Sequence, residues 1–271
     1  MLSNTSRSLT YLTAILYAIL GAFLFLFPEQ LAPVFAWKVT AFMTMTIGGW
    51  CLGNAWLAYF IAKSRVARED WQRVYTTCIY LWSFGVTELI VLYLFRAKLA
   101  LVHPIAWLYL ITLLVNVIAA ILGIVEWLRN RPAHATDVYQ TTTLQRTLAI
   151  GFVVFVGFLG YYGLTTQIGD PGTNGGIFPE VMSLFTLRSF GAFYLSLSIA
   201  ALPLIWEKSL KTLLHHAVAS YGLIIFITIA ALAYIRLFDF VARPFGAVYI
   251  GVYVLVGIAT AIVMWKNGTG N

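Results

Sequence analysis

The chain has 271 residues, of which 61% are hydrophobic and only 10% charged, with a formal net charge of +7. Soluble domains run at about 45–50% apolar and about 25% charged, which excludes a soluble enzyme, a disordered chain and a disulfide scaffold. What remains is an all-α, polytopic membrane protein.

Crossing a hydrocarbon core of about 30 Å takes about 20 apolar helical residues. Eight segments meet or approach that length, near 9–27, 40–62, 74–95, 104–128, 147–164, 183–206, 213–238 and 244–265. Pro28 and Pro33, the charged stretch Lys63–Arg73, His103-Pro104, Arg129–Pro132, Asp170-Pro171-Gly172, Glu207-Lys208 and Arg243-Pro244 separate them. The first segment follows Arg7 like a signal peptide, but it ends in Phe27-Pro28-Glu29 with no small-residue cleavage site, and it reads as a retained span.

The second span carries Asn54 and a Gly49-x-x-x-Gly53 step that allows close helix approach. The loop after it, Arg65–Arg73, places Arg65, Glu69 and Arg73 at helical spacing. The third span contains Glu88, the one acid well inside a span, seven residues or about 10 Å from the nearer helix end. An ionisable group at that depth costs a few kcal/mol and faces protein or water. Thr112 in the fourth span lies at a similar depth, whereas Asn116 and Asn54 lie deeper. The structural reading of these four is interhelical hydrogen bonding; the functional reading is an intramembrane proton or ligand site centred on Glu88.

The fifth span has a small-residue stripe, Gly157, Gly160 and Gly163, and a turn-rich insertion follows it at Asp170–Gly176. His103, His134, His215 and His216 are scattered over loops and opposite span ends, so neither haem nor a shared metal is expected. Cys51 and Cys78 differ in depth and define neither a disulfide nor a metal site. No cofactor is expected, and no nucleophile stands beside a base, so no catalytic residue is assigned. No run of basic residues suggests nucleic acid.

The two halves of the chain repeat one another. Arg7, Leu20 and Gly21 match Arg146, Leu159 and Gly160; Phe27-Pro28-Glu29 and Ala41-Phe42 match Phe178-Pro179-Glu180 and Ala192-Phe193; Arg96, Pro104 and Tyr109 match Arg236, Pro244 and Tyr249. The expectation is two parallel four-helix repeats, 1–135 and 136–271, related by an axis along the membrane normal. Glu29, Arg96, Glu180 and Arg236 then fall on one face, where the guanidinium fork suits carboxylate pairs Glu29–Arg96 and Glu180–Arg236. Lys and Arg are more frequent on the opposite face, which places both termini in the cytoplasm.

The stretch Phe27-Pro28-Glu29-x5-Phe35-Ala36-Trp37, leading into Thr40–Gly49, resembles bacterial multi-spanning membrane proteins of no assigned function. The resemblance covers the first two spans. It implies an uncharacterised protein of a bacterial inner membrane and carries over no active-site residue. The function expected first is a non-catalytic scaffold, accessory subunit or lipid-contacting protein, alone in lipid, with a protein partner or as a homo-oligomer. A small-solute or proton-coupled transporter using Glu88 is the second expectation, and a membrane-embedded enzyme the third.

Overall fold

A computed structural model describes residues 3–64, 68–130, 140–167, 177 and 179–267. These contain nine α-helices: α1 (Asn4–Leu26), α2 (Pro28–Leu31), α3 (Ala41–Lys63), α4 (Arg68–Leu94), α5 (Pro104–Arg129), α6 (Thr143–Thr165), α7 (Leu184–Ala201), α8 (Leu210–Ala233) and α9 (Pro244–Asn267). The expected Asp170–Gly176 insertion, His134, Arg65 and the Glu69 side chain lie outside the described residues.

Short polar residues set the helix starts. Ser3, Thr40, Ser183 and Ser209 each accept a hydrogen bond from a backbone N–H in the first turn, and Thr142 closes a reciprocal capping box with Gln145. Pro104 and Pro244 open α5 and α9, where the missing proline N–H is no loss.

Seven of the helices are long and apolar enough to cross a membrane: Asn4–Leu26, Arg73–Leu94, Pro104–Arg129, Thr143–Thr165, Leu184–Ile205, Leu210–Ala233 and Pro244–Lys266. The chain is therefore a multi-spanning membrane protein in contact with lipid. The eighth expected segment, α3, is as long as α1 at 23 residues. It falls outside the set because Thr44, Thr46, Gly48, Gly49, Gly53 and Asn54 dilute its hydropathy. All six are buried, since α3 runs through the middle of the molecule with α1 on one side and α8 on the other. The faces of a helix that are covered by protein do not need a lipid-compatible surface.

Around α3, α5 packs on α1 and α4, α7 packs on both α4 and α6, α8 also touches α4, and α9 packs on α8. α1, α4, α6 and α8 start at one face of the bundle, and α3, α5, α7 and α9 end there. Cross-links at this terminal face tie it together. Ser6 Oγ donates to Glu126 Oε1 at 2.8 Å, Arg7 Nε to the Ala62 carbonyl at 2.7 Å, and Thr141 N to the Lys208 carbonyl at 2.9 Å.

The α1–α3 and α6–α7 crossings rely on glycines. A Cβ on Gly21 would sit 2.7 Å from Leu52 N, and one on Gly160 would sit 2.8 Å from Leu195 N. Likewise a Cβ on Gly48 would lie 2.5 Å from Phe25 N, and one on Gly191 would lie 2.7 Å from Leu164 N. In lipid, where burial between helices gains little over contact with acyl chains, such close packing is a main source of association.

Candidate functional site

Glu88 is buried, at 2% exposed, six residues before the end of α4. Around it is a cavity of about 20 Å³ lined by Tyr17, Trp37, Trp50, Cys51, Tyr109 and Ser189, among others. One water needs about 10–15 Å³ of such space, so the cavity has room for about one. The residues come from α1, the segment before α3, α3, α4, α5 and α7, and the site joins both ends of the sequence. Tyr109 donates its hydroxyl to Glu88 Oε1 at 2.5 Å, and the Ser189 hydroxyl stands beside the same carboxyl group across the cavity.

Two of the other expected polar residues reach this centre through tyrosines. Asn116 donates to the Tyr17 hydroxyl at 3.2 Å, and Tyr17 lines the Glu88 cavity. Asn54 accepts from the Tyr80 hydroxyl at 2.7 Å, and the Tyr80 ring stacks on Phe84 of the cavity wall. Thr112 turns back to the Leu108 carbonyl, the usual alternative for a hydroxyl in an apolar helix, and joins nothing. The sequence reading missed Tyr17, Tyr80, Tyr109 and Ser189. Tyrosines in membrane helices read as generic apolar bulk, although a buried phenol needs a partner. The match of Tyr109 to Tyr249 was the available signal: Tyr249 is buried too, with its hydroxyl 3.0 Å from that of Tyr194.

The outer charges behave differently from expectation. Glu29 is not brought to Arg96; it accepts from the Tyr234 hydroxyl at 2.9 Å. Glu180 is not brought to Arg236; it accepts from the Thr40 hydroxyl. Arg96 lies 4.4 Å above the Tyr93 ring and donates to the Tyr93 carbonyl, and Arg236 is exposed on the 3₁₀ turn Ile235–Leu237. Both arginines sit on short turns at the helix ends, where a long cationic side chain reaches water more easily than it reaches a neighbouring carboxylate. Both carboxylates instead bind a hydroxyl from the other half of the chain.

Tyr234 lies just beyond the end of α8. Burial, together with the Glu29 carboxylate that accepts its proton, pushes its hydroxyl up to about 12. Because the folded value is raised, the contact is fully present below the ordinary tyrosine range near 10 and is lost as pH rises through about 12. A difference titration of tyrosinate absorbance, wild type against Tyr234→Phe, should show Tyr234 ionising after the exposed tyrosines. Ionisation at ordinary tyrosine pH would mean that the Glu29 contact is absent in solution.

Further contacts join the two halves. Trp50 of α3 and Phe193 of α7 stack at 4.6 Å with an interplanar angle of 9°. Phe42 packs on Tyr234 at 5.7 Å, and Phe185 packs on Phe95 at 5.2 Å. Between α4 and α8, Thr76 hydrogen-bonds His216 Nδ1 and Thr77 hydrogen-bonds His215 Nδ1, each at 3.2 Å. Among the described residues no group of three or more His, Cys, Asp or Glu could hold a metal ion.

Comparison with known protein families, curated proteins and solved structures returned no match to this chain. The resemblance of the first two spans to a bacterial family is therefore without support from them, and any functional reading rests on the geometry.

Proposed function

We propose that the protein is a non-catalytic scaffold or accessory subunit of a bacterial inner membrane, built from two parallel four-helix repeats, 1–135 and 136–271. The observation that carries this reading is the state of Glu88. Its carboxyl group is held by Tyr109 among buried aromatic rings, beside a cavity sized for about one water. That arrangement suits a polar joint between helices. A proton carrier needs a wet path to it.

The eight-span count follows if α3 is included. It has the same length as α1, begins at its Thr40 cap, ends at Lys63 and packs between two helices that qualify as spans. Support for duplication comes from the contacts. α3 packs on α8 as α7 packs on α4. The glycine crossings, the Thr40 and Ser183 caps, the Phe42–Tyr234 and Phe185–Phe95 pairs and the two Thr–His pairs all recur under one correspondence. Trp50 and Phe193 are each other's counterparts and stack on the axis it implies. This correspondence pairs Gly48 with Gly191, which makes Leu184 the counterpart of Ala41, in place of the Ala192 suggested by sequence matching. The basic residues of the terminal face favour cytoplasmic termini. Lipid surrounds the bundle, and a second copy or another protein is the partner of a scaffold.

Reconstitution tests the proposal. Proteoliposomes loaded with an interior pH dye should take up protons under an imposed gradient no faster than empty vesicles, and Glu88→Gln should change nothing. Proton uptake by the wild type that Glu88→Gln abolishes would overturn the scaffold reading in favour of a transporter.

A further inference from the structure

The two halves are not packed alike. In the first half α1 packs along α5, but in the second α6 and α9 do not close on each other. A crevice of about 450 Å³ opens between them, walled by α6, α8, α9 and the end of α7. On α6 it runs from Gln145 near the terminal face to Phe155. Ten residues of helix span about 15 Å, half of a hydrocarbon core of about 30 Å. It thus has the length of one leaflet. A smaller cavity of about 30 Å³ shares Phe152, Phe155, Ser220 and Ile224 with it and continues inward to Ile227 and Tyr253.

Most of the crevice wall is apolar, and on its α8 side His216 and Ser220 stand one helical turn apart on the same helix face. They are 5% and 7% exposed. His216 uses Nδ1 on Thr76 of α4 and leaves Nε2 without a hydrogen-bond partner, and Ser220 Oγ has none either. Neither need is met by the helix itself: a serine can bond back to the carbonyl one turn earlier, and Ser220 does not. Unmet polar groups at this depth are costly, because no bulk water reaches them. His216 lies six residues into α8, about 9 Å from its start, which is too deep for a phosphate or a carboxylate headgroup to follow without a heavy desolvation cost. Both atoms lie just behind the crevice wall as it stands, so a ligand oxygen reaches them by a turn of the Ser220 and His216 side chains between ordinary rotamers.

We propose that this crevice binds an uncharged lipid carrying carbonyl or hydroxyl oxygens, with those oxygens at His216 and Ser220 and the apolar body between α6 and α9. Two membrane sources share that chemistry: an isoprenoid quinone and a diacylglycerol-type lipid. The inference depends on the preceding section only for the placement of these helices in a bilayer.

The test uses the full-length protein extracted in mild detergent. Mass spectrometry of an organic extract should find an uncharged lipid in near-stoichiometric amount, and its identity separates quinone from acylglycerol. Reloading with a decyl-substituted benzoquinone or with dioctanoylglycerol, followed by gel filtration, should show retention of whichever probe matches. Gly151→Leu is the blocking variant. Gly151 lines the crevice, and a Cβ there meets nothing within 4 Å. It should keep the wild-type melting temperature and retain about tenfold less probe. Ala259→Phe blocks from α9, with Ala259 exposed on the crevice wall, and serves if Gly151→Leu folds poorly. Ser220→Ala should weaken retention without changing the amount of folded protein. Phospholipid alone in the extract, or equal retention of both probes by wild type and blocked variants, would overturn the proposal. Proton uptake by reconstituted vesicles would be unaffected by any of these outcomes, so the scaffold reading stands or falls separately.

Discussion

Gly48→Leu and Gly191→Leu should each prevent recovery of a folded, monodisperse protein from the membrane, and the alanine variants should lower its melting temperature clearly. A Cβ at Gly48 would be 2.5 Å from Phe25 N and 2.9 Å from the Leu24 carbonyl carbon; at Gly191 it would be 2.7 Å from Gly163 C and Leu164 N. These obstacles are backbone atoms, so no rotamer change relieves them and the helices must separate. Overpacking of one methyl costs about 1–3 kcal/mol, and a leucine exceeds what a local shift absorbs. Gly151→Ala is the control, since its Cβ meets nothing within 4 Å and the change should leave stability intact or slightly raised. Melting curves in detergent check all three. If the halves are true repeats, Gly48→Ala and Gly191→Ala should lose similar amounts. A loss confined to one of them would break the proposed correspondence, and harmless leucines at both would refute the close crossings themselves.

These glycines show how far the sequence could be read. The spans were visible because length and apolarity are local properties, and the breaks at Pro28, Pro104 and Pro244 mark helix boundaries in the structure. α3, expected as a span near 40–62, falls short of the others in hydropathy because its Thr, Gly and Asn residues serve contacts with other helices. Partner choice was the least legible part. Glu29 binds Tyr234, 205 positions away, and which helix ends meet across the two halves is a tertiary fact that charge patterns do not encode. Glu88 stood out by its cost in lipid, but its partner Tyr109 looked like any other membrane aromatic. His216 reads as a histidine at a span end, and nothing in the sequence singles out Ser220. Their unmet hydrogen bonds appear only once α6 and α9 are seen to stand apart.

The Glu88–Tyr109 contact should behave as a structural joint with a graded response. Glu88→Ala removes the acceptor of a buried phenol and enlarges the cavity around it. An unsatisfied buried polar group costs about 1–3 kcal/mol, and added cavity raises the loss further. Glu88→Gln retains a carbonyl oxygen where Oε1 accepts from Tyr109, so it should cost far less. Tyr109→Phe leaves the carboxyl group with one partner fewer and should fall between them. The double variant Glu88→Ala with Tyr109→Phe should lose less than the sum of its parts, because the second change removes a hydroxyl already stranded by the first. Interhelical hydrogen bonds within a membrane are worth about 0.6 kcal/mol on average and up to about 1.7, so a coupling energy in that range is expected from reversible unfolding in mixed micelles. The ranking separates a joint from a reactive site. A joint tolerates glutamine and not alanine, because acceptance of the tyrosine proton is what it needs. If glutamine were as damaging to stability as alanine, or if the two single losses added fully, Tyr109 would not be the group that Glu88 is there to hold.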